Sequence, residues 1–356
     1  QGGRDLGLRF EFTFALARYI AMNPQTKMPF KRYQMGPVFR DGPIKSGRYR
    51  EFWQCDVDIV GSKKTMADAE IVLLADAVFK ALDLAVAIEI NNRKLLYEMM
   101  AYAGIAEEQQ TSAIIIVDKL KKMGRDGVAQ ELKEKGLADG QIEKLMELLM
   151  LTGSNADMLK ALQEKLPDSV GLSELEELFG WLDAAGVTYT FLPSLARGLG
   201  YYTGPIFEVF LTDEKLMSSS IAGGGRWDEM VGQYIGNPKM ATPAVGISFG
   251  IEPIMEILKQ KEGLEQQTTA RFFIIPMGTE KKSLTIAQRL RSQGLRVAID
   301  LNGRNMKKNL NYVNKLNIPY AIIIGQDELD AEKIKLKDMK SGDEQLIPVD
   351  EVQNWA

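Results

Sequence analysis

Four cationic side chains lie close together in one short loop of the chain. The loop joins two strand-like runs, residues 32–40 and 50–60, and it carries Arg40, Lys45, Arg48 and Arg50. An arginine stays charged and donates hydrogen bonds in a rigid fork that matches a pair of phosphate oxygens. Glycine and proline residues in the same loop favour turns. The segment predicts a hairpin that can hold a polyphosphate, although a solvent-facing hairpin with ordinary surface charges explains it equally well.

The second strand of this hairpin alternates between polar and apolar side chains. One row consists of Phe52, Gln54, Asp56 and Asp58, and the other of Trp53, Cys55, Val57 and Ile59. Successive side chains of a strand point to opposite faces, so one face is mainly polar and the other mainly apolar. Such a polar row is unusual for a strand that helices cover, and beside a cationic loop it suggests a polar pocket.

The absence of histidine excludes more chemistry than any other feature of the composition. A serine or cysteine triad built on histidine, an HExxH zinc site and a HIGH-type nucleotide motif all require that residue. With a single cysteine, Cys55, transition-metal sites are also disfavoured. Carboxylates, arginine, lysine, tyrosine and backbone amides remain, and they favour catalysis by positioning and electrostatics over nucleophilic catalysis.

Length and composition indicate a soluble globular protein of two or three domains. The 356 residues are 45% hydrophobic and 26% charged, which is enough to bury a large core. No apolar run approaches the ~18 residues of a membrane span, and one cysteine allows no internal disulfide, so we expect a cytoplasmic protein. The net charge of −4 argues against indiscriminate coating of nucleic acid and restricts RNA contacts to local basic patches.

The first 260 residues predict an α+β domain with a mostly antiparallel sheet flanked by helices. Its predicted elements are a strand at 8–12, a helix at 14–21, the hairpin, a helix at 67–84, a strand at 86–90, strands from 188 onwards, and a strand at 243–250 that leads into a helix near Glu252. Between them, residues 93–182 are mostly helical and predict an insertion to which we assign no chemistry.

The C-terminal part predicts a second, smaller domain. Residues 260–270 have the composition of a linker, and the following segments alternate as strand, helix, strand, helix, strand. This order predicts a doubly wound α/β domain, closed by strands at 333–338 and 344–349. Its scattered basic residues are Lys281, Lys282, Arg304, Lys307, Lys308, Lys315 and Lys335. They fit RNA binding and an ordinary lysine content equally well.

Five separated segments carry a family resemblance in the right order. They are LRFEFT at residues 8–13, GPVFRDGPIKSGRYREFWQCDVDIVG at 36–61, RGLGYYTGPIFE at 197–208, AGGGRWD at 222–228 and VGISFGIEP at 245–253. The second resembles the second signature motif of class II aminoacyl-tRNA synthetases, and the set resembles the histidyl-tRNA synthetases. Several ordered motifs are far more specific than one glycine-rich loop.

The resemblance implies a histidine–tRNA ligase that activates histidine with ATP and transfers it to tRNA. It implies a catalytic domain at residues 1–260, including the insertion, and an anticodon-binding α/β domain at 271–356. Mg²⁺ is expected with ATP, because it neutralises the leaving pyrophosphate. The expected partners are histidine and tRNA(His), and the full-length protein is expected to be a homodimer.

The resemblance also implies roles for individual residues. Glu11 and Thr13, at alternate positions of the predicted first strand, would contact the α-amino group of histidine. Gln54 and Asp58 would contact the substrate, with Asp58 accepting an imidazole N–H. Tyr201 and Tyr202 would form an aromatic wall, although adjacent strand residues point to opposite sides and one of the two would then be structural.

The resemblance implies that arginines bind ATP and the reacting carboxylate. Arg40 would bind the α-phosphate, and Arg197 would stabilise charge at the carboxylate and the α-phosphate during attack. Arg48 and Arg50 would hold phosphate or tRNA, or be plain surface charges. Glu252 would bind ATP. The glycines at 223–225 would let the backbone lie close to the bound amino acid or adenylate.

Three positions depart from the family pattern. Gly200 replaces an aspartate, Trp227 replaces a tyrosine, and Pro253 replaces the arginine that clamps the γ-phosphate in the third motif. Losing a guanidinium at a phosphate commonly costs about a thousandfold in rate. A catalytically impaired paralogue that senses histidine or tRNA is therefore the alternative. The regulatory paralogue of histidine biosynthesis generally lacks a C-terminal domain like this one, which disfavours that version.

The beginning of the chain lacks one expected motif. The class carries an earlier motif that builds its dimer interface, and no match to it is found before LRFEFT. The sequence also starts at Gln1 without a methionine. We therefore expect an amino-terminally truncated chain.

Overall fold

The structure is a computed structural model that describes residues 2–3, 5–42, 44, 47–237, 242–262 and 268–355. The chain divides into two compact units, Gln1–Lys261 (unit 1) and Glu262–Ala356 (unit 2). Lys45 of the predicted cationic loop lies outside the described residues.

Unit 1 is built on a mixed sheet that is mostly antiparallel. The strands are β1 (Phe30–Phe39), β2 (Glu51–Val60), β3 (Val86–Asn92), β4 (Thr190–Phe191), β5 (Pro205–Leu211), β6 (Ala222–Arg226) and β7 (Ala244–Gly250). Among the described residues they pair in the order β1-β2-β7-β6-β5-β3-β4. Only the short β4 runs parallel to its neighbour β3 in this part of the chain. The predicted α+β class is confirmed.

Helices cover the sheet and form the insertion. They are α1 (Thr13–Met22), α2 (Thr65–Ala81), α3 (Arg93–Tyr102), α4 (Glu107–Val117), α5 (Leu120–Glu134), α6 (Asp139–Leu149), α7 (Asn155–Lys165), α8 (Val170–Ala184), α9 (Met230–Tyr234) and α10 (Ile251–Glu262). Helix α8 buries Leu172, Leu175, Leu178 and Leu182, at the three- and four-residue spacing of one helix face. The side chain of Asn92 caps α3 by accepting the Lys94 N–H.

The hairpin of β1 and β2 buries its polar row. Gln54, Asp56 and Asp58 are only 8%, 4% and 3% exposed, whereas Trp53 on the opposite face is 46% exposed. The alternative of a solvent-facing polar row is therefore wrong. Polar groups are buried where they meet partners or ligands, so this row marks the functional side of the sheet.

The predicted strand at residues 8–12 is wrong. This segment forms neither helix nor strand, and α1 already begins at Thr13. The carboxylate of Glu11 accepts the backbone N–H of Phe14 at 3.3 Å, which satisfies a free donor in the first turn of the helix. Glu11 and Thr13 therefore lie on either side of a helix start and not at alternate positions of a strand.

Unit 2 is a five-stranded α/β domain in the part of the chain that is described. Its elements are β8 (Phe272–Pro276), α11 (Glu280–Ser292), β9 (Val297–Ile299), α12 (Met306–Lys315), β10 (Tyr320–Ile324), α13 (Gln326–Asp330), β11 (Lys333–Asp338), β12 (Glu344–Pro348) and a 3₁₀ helix (Val349–Trp355). Strands β9, β8 and β10 are parallel, and β11 and β12 extend the sheet in antiparallel fashion. The predicted α/β class is confirmed. Helix α10 continues to Glu262, inside the predicted linker.

Within the described ranges, none of the helices has both the length and the apolar character needed to cross a membrane.

Candidate active site

One face of the unit 1 sheet carries a cavity of about 540 Å³. The predicted site residues that line it are Glu11, Thr13, Arg40, Arg48, Gln54, Asp58, Arg197, Tyr201 and Tyr202. They come from the start of α1, the hairpin, and the segment that precedes β5. Arg50 and Glu252 do not line it: Arg50 lies 3.6 Å from Asp41 as an exposed ion pair. No imidazole lines the cavity, because the chain contains no histidine.

Glu11 lies at one end of the cavity against an aromatic side chain. Its carboxylate accepts the hydroxyl of Tyr201 at 2.9 Å, and it is only 7% exposed. Burial raises the pKa of Glu11 above its ordinary value, while the Tyr201 hydrogen bond opposes that shift. A buried carboxylate with one strong donor can still accept further hydrogen bonds from a ligand.

Asp58 belongs to the buried polar row of β2, which we call the floor of the cavity, and Arg32 of β1 binds its carboxylate. The Arg32 Nε and Nη2 atoms lie 3.1 and 3.0 Å from Asp58 Oδ2. Burial raises the pKa of Asp58 to about 7, although Arg32 opposes the shift. A Cβ on the neighbouring Gly246 would lie 2.1 Å from Asp58 Oδ1, so glycine at that position makes room for the carboxylate.

The middle of the floor holds two polar groups that are not fully satisfied. Gln54 Nε2 donates to Ser248 Oγ at 2.7 Å, and burial raises the pKa of Asp56 while the Ser248 side chain opposes that shift. Gln54 Oε1 and Asp56 Oδ1 find no hydrogen-bond partner among the described residues. Unpaired buried acceptors are costly and need a donor from a ligand or water. Asp56, Ser248 and Arg32 were not predicted as site residues. The alternation of β2 places Asp56 in the polar row, the hairpin register places Arg32 opposite Asp58, and the pairing of β2 with the distant strand β7 places Ser248 opposite Asp56.

Arg40 ends the hairpin's first strand between two aromatic rings. Its guanidinium carbon lies 4.4 Å from the ring centre of Phe10 and 5.2 Å from that of Phe52. Its Nε donates to the Phe10 carbonyl at 3.3 Å. These contacts hold the head group by cation–π attraction and one hydrogen bond, and most of its donors stay available for an anion.

Arg197 lines the same cavity as Arg40. Its Nη1 donates to the Phe207 carbonyl at 3.3 Å and lies 3.5 Å from Glu208 Oε1. A Cβ on Gly223 would lie 1.8 Å from this nitrogen, so the guanidinium occupies the volume that a side chain at 223 would fill. The glycine run of β6 therefore makes room for the protein's own arginine, in addition to any close approach by a ligand.

Gly223→Ala tests this packing. The added methyl forces Arg197 to move, and a misplacement of about 1 Å in a catalytic group can cost about a hundredfold in rate. In the histidine-dependent ATP–pyrophosphate exchange that the family resemblance implies, we expect the turnover to fall by about that factor. Gly200→Ala is the matched control, since a Cβ there meets nothing within 4 Å. Equal activity of the two variants contradicts the packing argument.

The two tyrosines do not lie on a strand, so the expectation that they point to opposite sides is wrong. Both precede β5 in a turn, both line the cavity, and their ring centres are 4.8 Å apart. Backbone turns in this segment remove the strict alternation on which that expectation rested.

Pro253 and Trp227, two of the positions that depart from the family pattern, line the cavity, whereas Glu252 of the third motif does not. Pro253 lines the cavity as the third residue of α10, a first-turn position that proline tolerates. Both carboxylate oxygens of Glu252 accept the Trp53 N–H, at 2.8 and 2.7 Å, so Glu252 ties α10 to β2. Trp227 lines the cavity while packing in a core cluster with Leu16 and Val60.

An antiparallel sheet with this cavity on its face, a cationic hairpin and the ordered motifs define a class II aminoacyl-tRNA synthetase. Within that class the chain belongs to the histidyl-tRNA synthetase family. The family described as "Histidyl-tRNA synthetase" matches residues 1–254, and the one described as "Anticodon binding domain" matches residues 271–356.

Individual relatives agree with this family. The chain is 44% identical to Histidine–tRNA ligase 1 of Bacillus anthracis, over 100% of this chain and 84% of the relative. It is 40% identical to Histidine–tRNA ligase 2 of Shouchella clausii, over 98% and 82%. Among solved structures, the histidyl-tRNA synthetase from Nostoc sp. PCC 7120 superposes with a TM-score of 0.74 at 34% identity, covering 98% of this chain and 83% of that one.

Proposed function

We propose that the cavity of unit 1 is where this histidine–tRNA ligase forms histidyl-adenylate. One observation carries the proposal. A group of acidic and amide side chains, Glu11, Gln54 and Asp58 among them, lines the same cavity as Arg40 and Arg197. A cationic amino acid needs the first set, and a phosphate with an attacking carboxylate needs the second.

Histidine is held by the acidic end of the cavity. Glu11, Thr13 and Gln54 bind the α-ammonium group, for which the carboxylate of Glu11 and the free Oε1 of Gln54 are suitable acceptors. Asp58, oriented by Arg32, accepts an N–H of the imidazole ring. Tyr201 and Tyr202 enclose the ring from the side.

ATP lies towards the arginines and the start of α10. A carboxylate oxygen of histidine attacks the α-phosphorus, the bond to the bridging oxygen breaks, and pyrophosphate leaves. Arg40 and Arg197 stabilise the negative charge that develops on the α-phosphate oxygens. Glu252 acts on the ATP side by fixing the backbone of β2 at Trp53. A terminal adenosine hydroxyl of tRNA then attacks the adenylate carbonyl and releases AMP.

Mg²⁺ fits this site as a companion of ATP. The described residues contain no group of three or more acidic, cysteine or histidine side chains that could cage a metal ion. Magnesium commonly binds substrate phosphates with only one or two carboxylates, so the phosphates of ATP would be its main ligands. Bound there, the ion supplies positive charge for the departing pyrophosphate.

We propose a division of labour between residues 1–260, which carry out catalysis, and 271–356, which bind the anticodon region of tRNA(His). We further propose a homodimer in the cytoplasm. The exposed apolar side chains of β1, Tyr33 and Met35, are 75% and 53% exposed and support an association surface beside the hairpin. Sedimentation equilibrium measures the association, and a monomer at micromolar concentration would contradict the proposed homodimer.

Pyrophosphate exchange tests the assignment directly. We expect the chain to incorporate labelled pyrophosphate into ATP only when histidine is present, and to charge tRNA(His) with histidine. If calorimetry shows that histidine binds but no pyrophosphate exchange occurs, the proposed catalytic activity is contradicted. The alternative, a paralogue that senses histidine, would then be favoured. Exchange that depends on another amino acid would overturn the specificity.

Pro253→Arg tests the departure in the third motif. The proline lines the cavity on the ATP side, so an arginine in the first turn of α10 can reach the phosphates. A hydrogen bond to a charged group contributes about 1.5–3 kcal/mol, so we expect the KM for ATP to fall at least about tenfold. Met255→Arg adds the same charge on the same helix. Met255 lines a different groove, together with Cys55 and Val57 of β2, so this variant should leave the KM for ATP unchanged. An unchanged KM in Pro253→Arg contradicts the prediction.

A further inference from the structure

The segment that carries Arg197, Tyr201 and Tyr202 has no regular structure of its own. Residues 192–204, all of which the structure describes, contain neither helix nor strand. Catalytic side chains must keep their positions closely, since small displacements are costly in rate. The position of this segment must therefore be fixed by contacts with other elements.

The junction of β3 and α3 supplies the contacts at both ends of the segment. The side-chain amide of Asn91 donates to the carbonyls of Pro193 and Leu195, at 2.8 and 2.9 Å. The backbone N–H of Arg93 donates to the Gly204 carbonyl at 2.8 Å. Asn91 is fully buried, so these bonds do not compete with water.

The guanidinium of Arg93 holds the middle of the segment. Its Nη1 donates to the carbonyl of Arg197 itself at 3.0 Å, and its Nη2 lies 3.4 Å from the Leu199 carbonyl. Arg93 is 1% exposed and forms no direct ion pair within the described residues, while the Asp118 carboxylate attracts both Arg93 and Arg197. Burying a charge is costly, and here its donors are directed at two loop carbonyls.

The other contacts of Arg197 act on its side chain and leave its main chain free. Phe207 and Glu208 hold its guanidinium, which fills the space that a side chain at Gly223 would occupy. Arg93 fixes the peptide from which that side chain starts. We propose that Arg93, assisted by Asn91, is a positioning residue that sets the main chain of Arg197 for adenylate formation. This inference rests on the proposed function.

Arg93→Met is the direct test. It keeps an unbranched side chain of similar reach but removes the fork, so the Arg197 carbonyl loses its donor. We expect kcat for histidine-dependent exchange to fall 10- to 100-fold, with the KM values for histidine and ATP within about threefold of the parent. Arg93→Lys keeps the charge and one donor, and it should recover part of the loss.

A double-mutant cycle separates positioning from general support. If Arg93 acts through Arg197, then Arg93→Met costs no more than about twofold in an Arg197→Gln background. Equal losses in both backgrounds would overturn the proposal, and so would full activity of Arg93→Met. Arg125→Met is the control for the insertion, because Arg125 forms an exposed pair with Glu143.

Hydrogen exchange gives a readout that does not depend on activity. Peptides that cover residues 193–204 should exchange faster in Arg93→Met than in the parent or in Arg125→Met, while β5 stays protected. Unchanged exchange there would overturn the positioning role. A parent chain without histidine-dependent exchange of pyrophosphate would instead overturn the proposed function, and the two failures are thereby distinguishable.

Discussion

We expect the replacement of Arg197 with glutamine to lower kcat for histidine-dependent ATP–pyrophosphate exchange by about three orders of magnitude. Removing one preorganised donor at a developing oxyanion costs about 10²–10³ in rate, and Arg197 contributes a full charge as well. The residue lines the same cavity as Arg40 and is held by Phe207 and Glu208, so its position does not depend on the ligand. Initial rates with saturating histidine and ATP measure the effect.

Two comparisons make this result informative. Arg197→Lys keeps the charge but loses the fork geometry, so we expect an intermediate loss. Thermal melting should show that Arg197→Gln remains folded, because the side chain is not part of the hydrophobic core. A loss below tenfold in the glutamine variant, with the fold intact, would exclude Arg197 as the main stabiliser of the reacting phosphate.

Arg226→Met should destabilise unit 1 by about 3–5 kcal/mol, because it leaves a buried carboxylate without its partner. Arg226 Nε lies 3.1 Å from Asp68 Oδ1, and the guanidinium also donates to the carbonyls of Ser62 and Lys64. Asp68 is 0% exposed, so water cannot replace the lost donors. Urea denaturation followed by circular dichroism measures the loss.

The pH dependence provides a second signature of the same pair. Burial raises the pKa of Asp68 to about 6 even with Arg226 present, and the variant should raise it further. A carboxyl whose folded pKa is raised stabilises the folded state less as pH rises through that pKa. The deficit of Arg226→Met should therefore be largest above pH 7 and should shrink below about pH 6.

An exposed ion pair supplies the control. Lys31 and Glu70 are about half exposed, so Lys31→Met should cost at most about 1 kcal/mol. Adding Asp68→Leu to Arg226→Met should recover part of the stability, because no buried charge remains. Equal losses from Lys31→Met and Arg226→Met would show that burial does not govern this pair.

The sequence predicted best where a local pattern repeats. The alternation of polar and apolar residues in β2 predicted which row would share one face, and strands separated by helices predicted the unit 2 sheet. The family motifs predicted that residues far apart in the chain would meet. The structure brings Glu11, Arg40, Asp58 and Arg197 to one cavity, and their individual roles remain predictions.

Local patterns failed where a contact from elsewhere decides the backbone. Residues 8–12 alternate like a strand, but no neighbouring strand pairs with them and Glu11 caps the helix that follows. The same limitation hid Arg93, which looks like an ordinary helical residue near the start of the insertion. Its partners lie about a hundred residues further along, and no periodicity in the sequence points to them.

The cavity in which we propose that histidine binds has no imidazole in its own walls, because the 356 residues contain no histidine. Every imidazole resonance in a nuclear magnetic resonance spectrum of this chain with ¹⁵N-histidine then comes from the ligand, and the nitrogen shifts report directly which tautomer Asp58 selects. There is also a consequence for translation. The ribosome reads no histidine codon in this stretch, so making it consumes none of the charged tRNA that the enzyme supplies.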